Sequence, residues 1–250
     1  MVPNLLVLAG TTEATALGKA LAEAGLTATL SLAGRVERPV RQPLPMRIGG
    51  FGGVDGLRAF LRSERITHVV DATHPFAAQM SANAVEACAA EGVPLVALTR
   101  PAWSAGAQDR WTRVPTLEAA AEALAGPPRR VMLAVGRMHL PVFAGNPQHV
   151  YLLRLVDPPA APPPFPSCHV EVSRGPFTAE GDRALMEAHG IEIVVSKNSG
   201  GTGARAKIDA ARALGLPVIM VDRPAVPDRE ELSSPDEVLA WLHGSIPRGV

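Results

Sequence analysis

Two features that would narrow the function at once are scarce in this chain of 250 residues, namely net charge and cysteine. With 24 basic and 24 acidic residues in balance, no overall field exists to hold nucleic acid, so an anionic ligand has to be met by local clusters. Cys88 sits in a helical pattern and Cys168 beside a proline-rich stretch, which supports neither a disulfide framework nor a metal site. No apolar run approaches the roughly 18 residues that read as a membrane span. The first run lacks a basic leader as well, so a cytoplasmic location is expected. Apolar residues make up 47% of the chain, enough for one large core or two ordinary ones, since domains run to roughly 100–150 residues.

The chain is organised around N-L-L-V-L-A-G-T-T-E-A-T-A-L-G, residues 4–18. Leu5 to Ala9 are too few for a helix and read as a strand buried on both faces. Gly10 ends it, and from Glu13 the apolar residues Ala14, Leu17 and Leu21 recur at helical spacing until Gly25. Strand, glycine turn and helix in direct succession aim the unpaired N–H groups of the first helical turn at a site fit for phosphate. Thr11 and Thr12 add hydroxyl donors. The full dinucleotide pattern G-x-G-x-x-G is absent, however, because Thr12 and Glu13 occupy the later glycine positions. A ligand-free reading also stands, in which Gly10 permits the turn, Thr11 or Thr12 caps the helix and Glu13 favours its positive end.

A second strand, Leu26 to Leu32, leads into A-G-R-V-E-R-P-V-R. In a nucleotide-binding βαβ unit the end of this strand faces the adenosine ribose, where an acid would hold the 2′-hydroxyl of NAD. Ser31, Gly34 and Arg35 stand there instead, and a hydroxyl with a guanidinium suits the 2′-phosphate of NADP. A solvated basic loop explains the same residues. M-R-I-G-G-F-G-G comes next, then a helix over 54–62 and a strand over 66–70 that ends in D-A-T-H-P-F-A. Asp71, Thr73 and His74 thus share a strand-end edge with Gly10, where open parallel sheets bind ligands. His74 is an acid candidate or a loop hydrogen bonder. A helix over 77–90 and a strand over 94–98 complete the half. In the aperiodic stretch after them, Trp103 and Trp111 either cap a pocket or pack at a domain boundary.

The alternation restarts with helices over 117–124, 178–189, 204–214 and 235–243 and strands over 131–135, 150–156, 191–196 and 218–221. Six prolines between Asp157 and Pro166 mark an extended connection. Two Rossmann-like α/β domains are expected, over 1–113 and 114–250, with mainly parallel sheets. In V-V-S-K-N-S-G-G-T-G-A-R-A-K, residues 194–207, a strand runs into Ser196, Lys197, Asn198, Ser199, Gly200 and Gly201 and then a helix, so backbone donors and a cation converge. It is not a P-loop, since Lys197 precedes the glycines. Arg137 and Arg223 come after neighbouring strands, so three strand ends carry a cation. That favours an anionic substrate over mere helix caps and surface charges.

L-A-G-T-T-E-A, D-A-T-H-P-F-A, S-K-N-S-G-G-T-G-A-R-A-K-I-D-A-A and V-I-M-V-D-R-P, in this order and spacing, resemble the precorrin-6A reductase family, and the likeness spans nearly the whole chain. The resemblance implies NADPH-dependent reduction of a double bond in an anionic tetrapyrrole, precorrin-6A, to precorrin-6B in cobalamin biosynthesis, with the two domains enclosing the site. Gly10, Thr11, Thr12, Glu13, Ser31, Gly34, Arg35 and Thr73 are then expected at the NADPH. His74, Arg137, Ser196 to Gly201 and Arg223 are expected at the substrate, whose carboxylates need placed cations. Asp71, His74 and Lys197 are candidate proton donors, and a metal-free or a cobalt-bearing macrocycle both fit. Other classes that suit two α/β halves are a nonenzymatic two-domain binder of an anionic ligand and a nucleotide-sugar transferase.

Overall fold

Among the described residues of the computed structural model every strand pairing is parallel, and their twelve strands form two six-stranded sheets. The structure describes residues 3–34 and 41–245. Along the chain come β1 (Asn4–Leu8), α1 (Thr12–Glu23), β2 (Thr27–Leu32), β3 (Met46–Ile48), α2 (Gly53–Ser63), β4 (His68–Asp71), α3 (Ala78–Glu91) and β5 (Leu95–Leu98). Next are β6 (Arg110–Val114), α4 (Leu117–Ala123), β7 (Arg130–Ala134), a 3-10 helix (Arg137–Phe143), β8 (Val150–Leu155) and β9 (Cys168–Val172). After these lie α5 (Ala179–Ala188), β10 (Ile193–Lys197), α6 (Ala206–Ala213), β11 (Pro217–Val221), β12 (Glu231–Leu232) and α7 (Pro235–Ser245).

The sheet orders are β12-β5-β4-β1-β2-β3 and β6-β11-β10-β7-β8-β9. Five consecutive strands of each unit adopt the doubly wound order 3-2-1-4-5, and in each the sixth place is filled from elsewhere in the chain. β6, which comes from the segment before β7, lies beside β11; β12, which comes near the end of the chain, lies beside β5. Accordingly unit 1 comprises 1–101 with 225–250, and unit 2 comprises 102–224. This corrects the expected division at 113/114. The expectation misplaced β6, whose sequence R-W-T-R-V is mostly exposed and lacks an apolar alternation, and the final helix, whose periodicity carries no information about which sheet it covers.

Leu5, Leu6, Val7 and Leu8 are at most 1% exposed, as a strand covered on both faces requires. Leu5 and Val7 pack with Leu17 and Leu21 of α1 and with Val238 and Leu242 of α7, whereas Leu6 and Leu8 meet Leu57 and Leu61 of α2. In unit 2, Met132, Val194 and Met220 from three adjacent strands pack with Ile208 and Ala211 of α6, and Trp103 joins that core. Threonine hydroxyls begin three helices: Thr11, Thr116 and Thr178 accept from Ala14, Ala119 and Gly181 N–H, each at 3.1 Å. Each satisfies a first-turn donor that no helical carbonyl can reach.

Candidate active site

In a doubly wound sheet the strand order reverses between the first and fourth strands, and the loops diverge there to leave a crevice at the carboxyl ends. In unit 1 that place lies between β1 and β4 and in unit 2 between β7 and β10. The strands of both pairs lead into residues singled out from sequence: Gly10 to Glu13 with Asp71 to His74, and Gly136-Arg137 with Lys197 to Gly201.

In unit 1, Gly10 has φ +141°, a conformation that side chains resist, and a Cβ built there would meet no protein atom within 4 Å. The turn is therefore open on the side where a ligand's phosphate would approach α1. Thr11 caps that helix and donates its hydroxyl proton to Ala72 O at 2.9 Å, tying the two loops together. Its hydroxyl is thus engaged within unit 1 both as donor and as acceptor. Thr12 Oγ1 is exposed and reaches Glu13 Oε2 at 3.1 Å. Glu13 in turn pairs with Arg100 Nη1, so its charge is compensated inside the unit.

Asp71 is 2% exposed and accepts four hydrogen bonds. Oδ1 takes Thr73 N (3.1 Å) and Thr73 Oγ1 (2.7 Å), and Oδ2 takes Ser81 Oγ (2.6 Å) and Arg229 Nη1. Both oxygens are taken up as acceptors, so the carboxylate holds the loop, with Thr73 Oγ1 facing it. His74 Nδ1 accepts from Phe76 N at 3.2 Å, a bond that requires the tautomer with its proton on Nε2.

Ser31 is also buried, at 5% exposure, and its hydroxyl accepts from Arg47 Nη1 at 2.7 Å. Arg47 donates further to Gly49 O (3.0 Å) and Gly50 O (3.1 Å), and its guanidinium lies 3.9 Å from the Phe51 ring centroid. Burial lowers the Arg47 pKa from its ordinary value. Arg47 escapes a reading of the sequence because its tie to Ser31 spans 16 positions; the available signal is a basic residue on the strand after the Ser31 loop. Gly34 has φ +74° and lies against Ile48. Arg35 lies outside the described residues.

In unit 2, Gly136 has φ +84°, and a Cβ there would stand 3.9 Å from Lys197 Nζ, so the β7 and β10 ends bring a cation over a bare backbone. Arg137 is partly exposed beside it. Asn198 is buried: its Oδ1 accepts from Trp103 N (2.8 Å) and its Nδ2 donates to Trp103 O (2.9 Å), imitating a strand partner. Trp103 Nε1 donates to Gly201 O at 2.7 Å. Arg223 donates to Asn198 O (3.1 Å) and Ser199 O (3.2 Å). Gly200 and Gly201 take φ +70° and +66°, which lets the loop turn back to α6. Ser196, Asn198, Ser199 and Gly200 are buried in the loop, while Lys197, Arg137 and Gly201 are partly exposed. Trp103 is a core and loop anchor, and Trp111 on β6 packs into the same cluster.

Among the described residues no group of three or more His, Cys, Asp or Glu side chains gathers as a metal site needs. None of their helices is long and apolar enough to cross a membrane.

The family model described as precorrin-6x reductase CbiJ/CobK matches residues 4–243. A precorrin-6A reductase of Rhodobacter capsulatus is 58% identical over 249 residues, 99% of each chain. The precorrin-6A reductase of a Sinorhizobium species is 46% identical, covering 95% of this chain and 91% of its own. A cobalt-precorrin-6A reductase of Priestia megaterium is 33% identical over 95% of this chain and 97% of its own. The solved structure titled CobK precorrin-6A reductase superposes with a TM-score of 0.94 at 57% identity, each chain fully covered.

Proposed function

Since the chain belongs to the precorrin-6x reductase family, we propose that it reduces precorrin-6A to precorrin-6B with NADPH, in the cobalamin pathway. The observation that carries the cofactor's place is the open turn at Gly10 before the Thr11-capped N-terminus of α1. Backbone N–H groups there, with the helix dipole behind them, suit a pyrophosphate. The nicotinamide cofactor, when bound, supplies the hydride. Gly10, Thr11 and Thr12 take the pyrophosphate through their backbone, and Glu13 with Arg100 fixes the first helical turn.

Unit 2 supplies the substrate's counter-charges. Lys197 and Arg137, at the ends of adjacent strands, meet carboxylates of the macrocycle with charge-assisted hydrogen bonds, and Gly136, Gly200 and Gly201 let it approach the backbone. Arg223 shapes the 198–201 loop through its carbonyls. His74 offers a neutral Nε2–H to the substrate, and Lys197 is the proton donor of choice, because Asp71 is fully engaged as an acceptor. The greater identity with relatives named for precorrin-6A supports that substrate over its cobalt-bearing counterpart.

The test is direct. Purified protein mixed with precorrin-6A should consume NADPH, seen as loss of reduced-nicotinamide absorbance, and yield a product two hydrogens heavier by mass spectrometry. No consumption with precorrin-6A, or equal rates with NADH, would overturn the corresponding half of the reading.

A further inference from the structure

We infer that Arg47 on β3 is the residue that grips the 2′-phosphate of the cofactor and so decides NADPH over NADH. This rests on the proposal that unit 1 binds NADPH. β2 and β3 pair Ser31 with Arg47, which puts the guanidinium at the carboxyl end of the strand that faces the adenosine ribose in this fold.

Its surroundings suit an anion that arrives from outside. The three oxygens it touches, Ser31 Oγ, Gly49 O and Gly50 O, are neutral, and among the described residues no carboxylate pairs with it in a salt bridge. An arginine has five N–H donors, so two remain beyond those three bonds. The group is partly buried, stacked over Phe51 at 3.9 Å with Phe60 at 5.2 Å, and burial lowers its pKa. A partly buried cation gains more from a dianion than a fully solvated one does, because attraction strengthens as water is excluded. Ser31, itself buried, acts through Arg47 by fixing its orientation.

Arg47 also pins the Gly49-Gly50 turn, and the experiment has to separate that role from phosphate reading. Adenosine 2′,5′-bisphosphate and 5′-AMP differ only in the 2′-phosphate, so their dissociation constants are measured by calorimetry on the full chain. Wild type should favour the bisphosphate, and Arg47→Ala should lower that affinity about ten- to a hundredfold, the span of one charge-assisted contact, with 5′-AMP unchanged. Arg47→Gln keeps amide donors for the turn but no charge, and it should behave as the alanine variant even if that one folds poorly. Added salt should erode the wild-type preference and not that of the glutamine variant. If Arg47→Gln weakens both ligands alike, or weakens neither, the inference falls while a wild-type preference for the bisphosphate keeps the NADPH proposal standing. A wild type that does not distinguish the two ligands overturns both.

Discussion

The two units share one strand order and one device, a positive-φ glycine two residues beyond the central strand, yet the helix after that glycine is of a different kind in each. Gly10 leads into an α-helix of 12 residues with a threonine cap; Gly136 leads into a 3-10 helix of 7 residues, with Pro141 inside it and no side-chain cap. A long α-helix brings aligned peptide dipoles and free N–H groups to its start, and a short 3-10 turn brings few of either. Unit 1 can therefore meet an anion with its backbone, and it neutralises its own charges in pairs, Glu13 with Arg100 and Asp71 with Arg229. Unit 2 puts side-chain cations, Arg137 and Lys197, at the same place in the sheet. The same topology thus offers two ways of holding negative charge, one suited to phosphate and one to spread carboxylates.

The contrast is broken most severely at the charge pairs of unit 1. Arg229→Met should cost about 3–5 kcal/mol of stability, because it strands a carboxylate that is 1% exposed on its side chain. Arg113→Ala, which loses a pair with Asp222 in unit 2 whose arginine is 68% exposed, should cost under about 1 kcal/mol. Urea midpoints at constant slope measure both. Similar losses for the two would show that the buried pair carries no special weight.

Next in size is the turn itself. Gly10→Val should raise the NADPH dissociation constant about a hundredfold or more, the loss of at least one charge-assisted contact of about 1.5–3 kcal/mol plus crowding. Its side chain would enter open space and not the core, so the domain should remain folded, weakened only by backbone strain of about 1–3 kcal/mol. A folded variant with unchanged affinity would move the cofactor elsewhere.

The unit 2 edge is sharpened by Lys197→Ala and Arg137→Ala. Each should raise the substrate KM about tenfold or more while the NADPH KM stays within about twofold; the reverse pattern would exchange the roles of the two edges.

An effect confined to alkaline pH is set by the thiols, one in each unit. Burial, with the Asp71 charge adding, pushes the Cys88 thiol up to about 12, against roughly 8.5 in an unfolded chain. The folded state then keeps a proton that the unfolded state releases, so this stability is whole below about pH 8.5 and declines as pH rises toward 12, by about 1.4 kcal/mol per unit. Cys88→Ala should flatten the alkaline loss seen in urea titrations. Cys168, partly exposed on β9, should react with a disulfide reagent first.

Legibility tracked the range of the interactions. The β1 turn and the Lys197 loop could be read because strand, glycine and helix are contiguous there and their periodicities change sharply. The units' α/β character and most helices were equally plain. β9, C-H-V-E-V, was lost behind the proline-rich connection, and β12 has two residues, too few for any pattern. Nothing local marks Arg229 as the partner of Asp71, 158 positions earlier, or tells that the hydroxyl of Thr11 is committed to Ala72. Ser31 and Asn198 look like ligand groups from composition alone, and nothing local tells that they are buried with partners of their own, Arg47 and Trp103.

The return of the chain to its first sheet sets the order in which the protein can be made. β12 completes that sheet, Val238 and Leu242 of α7 enter its core, and Arg229 answers Asp71. All three arrive after unit 2 has been translated in full. On the ribosome the usual sequence, amino-terminal domain first, is therefore inverted: residues 102–224 can close on themselves while unit 1 waits, its Asp71 carboxylate uncompensated, for the last part of the chain. A nascent chain stalled before residue 225 should accordingly expose β5 as a free edge, the form in which a chaperone would meet it.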